Sequence, residues 1–134
     1  MKKVFTAALI AFILTGCTDK KAQKQAALDD VIKIHDKVMG ADEHLMKNKM
    51  QLDSLLKLPN LQAKDTAALL RSNLNTADSV MENWMHKFDP DYKGKSDDET
   101  LAYFTDQKKQ IAAVDSELDK AISASDKYLK KIKK

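Results

Sequence analysis

Three features of this 134-residue chain predict an all-α fold, an antiparallel up-down-up three-helix bundle with coiled-coil-like packing. Apolar residues recur at alternating spacings of three and four over three long segments. Beyond residue 16, glycine and proline occur only at Gly40, Pro59, Pro90 and Gly94, and three of these four fall between the segments. The rest is rich in Ala, Leu, Lys, Gln and Asp with 6% aromatic residues, a composition suited to long exposed helices.

The first helix is expected over about residues 22–57. Ala27, Val31, Ile34, Val38, Ala41, Leu45, Asn48, Leu52 and Leu55 form its seam, and Asn48 is the one polar member. Such a heptad series is more demanding than a generic amphipathic face. Gly40 lies inside it and costs up to about 1 kcal/mol relative to alanine, which a long helix tolerates. The second helix is expected over 63–88, on the seam Ala67, Leu70, Leu74, Ala77, Met81, Trp84 and Phe88. Asp65 or Asn60 is the expected cap. Phe88-Asp89-Pro90 stops it, because the residue before proline is pushed out of the α region.

The third helix, 97–132, has the clearest start. Ser96-Asp97-Asp98-Glu99 matches the capping box, in which serine and glutamate satisfy each other's backbone donors. Leu101, Phe104, Ile111, Val114, Leu118, Ile122, Leu129 and Ile132 make its apolar stripe. Acids in the first turn and Lys127, Lys130, Lys131, Lys133 and Lys134 at the end complement the helix dipole. Short connections make neighbouring helices antiparallel. The bundle therefore occupies 22–134, with a core of Leu, Ile, Val, Ala and Met.

The first 16 residues stand apart. Lys2 and Lys3 precede an apolar run, Val4 to Leu14, of only 11 residues. A spanning helix needs about 20, so the run is read as a removable signal peptide rather than a retained anchor. Leu14-Thr15-Gly16-Cys17 then resembles the lipobox of bacterial lipoproteins. That resemblance implies diacylglycerol on the Cys17 thiol, acylation of its freed amine, and a flexible lipidated tether over residues 17–21. Two or three long acyl chains hold a protein on a membrane far more firmly than one.

Cys17 is the single cysteine, so no internal disulfide is available and the core alone must hold the domain. From Cys17 onward the chain carries all 20 acids and 21 of the 23 bases, a formal charge of +1. Nothing in that balance points to nucleic acid. Thr18 after the cysteine, rather than Asp, resembles the signal for outer-membrane delivery known from enteric bacteria. The expected place is the cell envelope, at the outer membrane facing the periplasm.

Two further segments, Ile34-His35-Asp36-Lys37-Val38-Met39 and Asn83-Trp84-Met85-His86-Lys87-Phe88, resemble motifs of small bacterial lipoproteins catalogued as "viral A-type inclusion protein". The resemblance implies a helical fold and an envelope location. It brings no activity with it.

No enzyme is expected. Gly-rich phosphate loops, a GxSxG elbow, HExxH and paired CxxC are all missing from the sequence. The adjacent pairs Asp29-Asp30, Asp97-Asp98 and Glu43-His44 point about 100° apart on a helix and suit a solvated surface. The sharpest alternative is a Cu(I) site. His35 and Met39 on helix one, facing Met81 and Met85 on helix two across a turn centred near residue 60, would supply soft thioethers and imidazole. Core packing accounts for the same methionines, and His44 and His86 are expected at the surface. The lysine-rich C-terminus resembles that of the major outer-membrane lipoprotein, whose terminal lysine is joined to peptidoglycan; lysines complementing a helix end explain it equally. The favoured function is a non-catalytic, membrane-anchored bundle for protein or cell-wall contact. Ile32, Met39 and Met46 flank the seam and are available for a partner helix or self-association.

Overall fold

The computed structural model describes residues 19–132. They form three helices: α1 (Lys20–Leu56), α2 (Lys64–Lys87) and α3 (Asp97–Ile132). The expected signal peptide, Cys17, Thr18, Lys133 and Lys134 lie outside the described residues.

The tether expected over 17–21 is shorter, because Lys20 and Lys21 already belong to α1. Asp19 is the reason. Its carboxylate accepts the Lys21 backbone N–H at 3.0 Å and so starts the helix early. From there α1 runs 37 residues, about 55 Å, straight through Gly40. A Cβ at Gly40 would meet nothing within 4 Å, so this glycine faces open space and no packing demands it.

At the first connection the structure corrects the expected cap. Neither Asp65 nor Asn60 caps α2. Ala63 does so in the left-handed conformation at φ 55°, and its carbonyl accepts the Thr66 and Ala67 N–H groups at 3.0 and 3.2 Å. The Tyr128 hydroxyl donates to the same carbonyl at 3.2 Å, so α3 pins the turn from outside. Asp65 sits in the first turn, near the positive end of the helix dipole. The α3 start follows the sequence: Ser96 N–H reaches Glu99 Oε2 at 2.8 Å and Glu99 N–H reaches Ser96 Oγ at 3.3 Å.

The three helices form a bundle around one core. α1 contributes Val31, Val38, Leu45 and Leu52 at seven-residue intervals, all fully buried. Ala67, Leu70, Leu74, Ala77, Met81 and Trp84 come from α2, and Phe104, Ile111, Val114, Leu118, Ala121, Ile122 and Leu129 from α3. The chain direction can be read from charged pairs. Lys20–Asp98, Asp30–Lys108, Lys37–Asp115 and Asn48–Asp126 are each separated by 78 residues. A constant separation means that α1 and α3 run parallel and in register along their whole length. α2 runs the other way, since Lys49 meets Asp78 and, further along α1, Asp53 meets Arg71.

Each exposed pair contributes little free energy. As a ladder on both edges of α1 they still discriminate against other registers, as flanking charges do between paired helices. Asn48 acts from within the seam. It is 2% exposed, and its amide donates to Ser125 Oγ at 2.9 Å and to Asp126 Oδ1 at 2.8 Å. Asn48→Ala is expected to lower the unfolding free energy by about 1.5–3 kcal/mol, the range for a hydrogen bond to a charged group. Urea titration followed by circular dichroism measures it.

The α2–α3 connection is closed by aromatic rings. Trp84 stacks on Phe88 with centroids 4.8 Å apart, and Tyr92 lies on Tyr103 at 4.0 Å, the two rings nearly parallel. The Tyr103 hydroxyl accepts the Asp89 N–H at 2.8 Å. Tyr92 holds a left-handed φ of 36°, a costly conformation for a residue with a side chain, and the ring stack compensates.

Candidate functional site

The thioether and imidazole groups proposed for Cu(I) differ in their exposure. The register is close to that expected, with His35 beside Trp84 at a ring separation of 6.2 Å. Helix rotation decides the matter. Met81 is closed into the core at 3% exposure, whereas Met39 stands open at 41%. Met85 is half-buried against the core, and His35 Nδ1 lies 3.1 Å from the Asp36 carboxylate. Among the described residues no group of three His, Cys, Asp or Glu side chains is placed to hold a metal ion.

The adjacent acidic pairs are drawn into structural contacts. Asp30 accepts from Lys108, Asp97 from Lys24 and Asp98 from Lys20. Asp29 accepts from the Gln25 amide at 2.8 Å. Glu43 and His44 diverge: His44 Nε2 approaches Asp126 of α3 at 2.9 Å instead.

These contacts carry a pH signature. Hydrogen bonding to Lys108 holds Asp30 below its ordinary 3.8, and Lys24 does the same for Asp97. The Ser96 N–H, then its hydroxyl, lower Glu99 below 4.5. Burial pushes Asp126 up, but hydrogen bonds from Asn48 and His44 outweigh it and the net shift is downward. A carboxyl lowered in the folded state stabilises the fold above its ordinary pKa, and that contribution is lost as pH falls through the folded value. The melting temperature is therefore expected to fall progressively below about pH 4.5, as thermal melts across the acid range will register. Lys20 and Lys37 are raised above 10.5 by hydrogen bonds to Asp98 and to Asp115 and Asp119. Their contribution is intact at lower pH and declines only as pH rises through their folded values.

What the surface does offer is apolar. Ile32, Met39 and Met46 recur every seven residues along the outer face of α1 at 36%, 41% and 41% exposure. Met50, at 61%, continues the strip one turn on. It also lines a groove of about 420 Å³ with Leu55, Leu58, Leu129 and Ile132, where the ends of α1 and α3 meet. Met50 is the residue that row and groove share. The strip is visible in the sequence as apolar residues beside the seam. The groove is not, since Leu55 and Ile132 look like ordinary core positions in the sequence and the structure leaves them half-buried beside the buried Leu129.

The other end of the molecule is charged and aromatic. Lys21, Lys24, Lys93 and Lys95 surround a notch between the first turns of α1 and the α2–α3 connection. These residues are scattered in sequence and carry no motif. Only the fold brings them together.

Residues 1–18 match the family model described as the prokaryotic membrane lipoprotein lipid attachment site. The chain thus carries the signal of a bacterial lipoprotein, held on a membrane of the cell envelope through lipid. No described helix is long and apolar enough to cross a membrane. Neither the curated proteins nor the solved structures contain a match to the chain, and the resemblance of the two helical motifs to the "viral A-type inclusion protein" group gains no support.

Proposed function

We propose that this lipid-anchored protein is a non-catalytic docking bundle, which presents the outer face of α1 and the far end of the bundle to another envelope protein. The observation that carries it is the row of exposed apolar side chains Ile32, Met39, Met46 and Met50 on α1, the last of which also lines the apolar groove with Leu58 and Leu129. Large exposed apolar surface on an otherwise well-charged domain is a feature of interaction sites. Heptad spacing along one helix suits a partner helix laid alongside. Because α1 starts at the anchored end, the groove stands roughly 50 Å from the lipid, by helix rise. The titratable pairs support a non-catalytic role, most of them bridging α1 to α3 or to α2. Delivery to the periplasmic side of the outer membrane is part of the same proposal, supported by Thr18 after the lipidated cysteine.

Photo-crosslinking in cells provides the test. A benzophenone side chain at position 46 or 50 is expected to yield discrete protein adducts, while one at Lys109 on the exposed side of α3 yields none. Absence of protein adducts at both α1 positions overturns the reading. Sedimentation velocity of the unlipidated chain separates self-association from a different partner, since a second copy gives a concentration-dependent species that Met39→Lys and Met46→Lys together remove.

A further inference from the structure

The early start of α1 leaves almost no chain between lipid and bundle. Only Thr18 separates Cys17 from Asp19, the residue that caps the helix. Two residues reach about 7 Å at full extension, comparable with the depth of one leaflet's polar layer, about 5–7 Å. The end of the bundle that carries Asp19 therefore rests in or on the headgroups.

At that end lies the notch of about 320 Å³ between α1 and the α2–α3 connection. Its charge is unbalanced. Asp91 is the one carboxylate lining it, and Lys93 is bonded to that group at 2.9 Å. Lys24 is held by Asp97 at 2.5 Å. Lys21 and Lys95 make no ion pair among the described residues, which leaves two positive charges facing the opening. The Tyr92 ring, clamped on Tyr103, keeps the connection folded against α3.

The geometry points to a docking site for an anionic phospholipid headgroup: the notch receives the phosphate of a neighbouring lipid in the leaflet that holds the Cys17 chains, with Lys21 and Lys95 as its cationic contacts. This rests on the lipid-anchored reading above. The occupant follows from position and charge together. A soluble anion has no reason to be concentrated there, whereas the tether holds the notch against a surface of phosphates, and lysines near an anionic leaflet are attracted to it.

The experiment uses the full lipidated chain in vesicles of phosphatidylcholine alone or with about one-third phosphatidylglycerol. Lysine acylation is followed by mass spectrometry, and flotation with the vesicles is scored separately. Lys21 and Lys95 are expected to react roughly fivefold more slowly on the anionic vesicles, with Lys47 and Lys57 at the far end unchanged. K21Q/K95Q removes two exposed charges without touching the core and is expected to float normally on both vesicles. Equal reactivity of Lys21 and Lys95 on both vesicles, in a chain that still floats, overturns the docking site. Protection by inorganic phosphate on phosphatidylcholine, with phosphatidylglycerol adding nothing, overturns the assignment to a headgroup. Failure to float overturns the anchor instead.

Discussion

Leu45→Ala is expected to destabilise the bundle by about 2–5 kcal/mol, against a total of about 5–15 kcal/mol for a domain of this kind. Leu45 is fully buried midway along α1, where all three helices meet. Truncation there removes apolar transfer energy and leaves a cavity that three long helices, fixed by an interhelical charge ladder, cannot easily close. A drop in melting temperature of roughly 10 °C or more is the corresponding readout. Leu69→Ala is the control. Leu69 is 61% exposed on α2, and its loss is expected to stay within about 0.5 kcal/mol. Comparable losses for the two variants would contradict the placement of the core.

Cys17→Ser is expected to move the protein completely from the membrane to the soluble fraction. A serine hydroxyl lacks the nucleophilic thiolate that takes the diacylglycerol, and among the described residues no helix is long and apolar enough to cross a membrane in its place. Each buried methylene is worth about 0.8 kcal/mol, so the loss of two or three acyl chains removes nearly all of the membrane affinity. All described packing lies within residues 19–132, so the same variant is expected to keep its helical circular dichroism and thermal stability. Membrane fractionation and melting curves separate anchoring from folding in one experiment.

The bundle was legible in the sequence wherever burial and hydrophobicity coincide. Val31, Val38, Leu45 and Leu52, or Leu70, Leu74 and Met81, reveal their faces by spacing alone. Polar residues in the same stripes were not legible. Thr100, Gln107 and Ser125 occupy buried positions of α3, yet their side chains carry no apolar signal, and Ser125 is recognisable as interior only once Asn48 is placed opposite it. The left-handed Ala63 and Tyr92 were also hidden, because residues of that kind reveal nothing about positive φ. Tertiary contacts from Tyr128 and Tyr103 hold them there.

The functional surfaces divide in the same way. The lipid attachment signal is local, and its four-residue end was readable in the sequence; the matching family model spans residues 1–18. The apolar strip of α1 was half-readable, since periodicity finds Ile32, Met39 and Met46 but cannot tell which of two flanking rows faces out. The Cu(I) alternative turns on a feature that spacing does not give: spacing and register put His35, Met39, Met81 and Met85 level, and rotation about the helix axes puts Met81 inside and Met39 outside. The lysine notch depends on residues from opposite ends of the sequence and could be found only in three dimensions.

The large sequence separation between the partners of α1 and α3, 78 residues for several pairs, also favours an order of assembly. α1 and α2 close loops of 18 and 29 residues at Asp53–Arg71 and Lys49–Asp78, whereas every α1–α3 contact must close one several times longer, at an entropic cost about 1 kcal/mol greater. The parallel pair is therefore completed last, on a hairpin already made. A nascent molecule emerging amino-terminus first has nothing to pair α1 with along that edge until its final third has been delivered, so the charged ladder serves as the closing latch of the folding process.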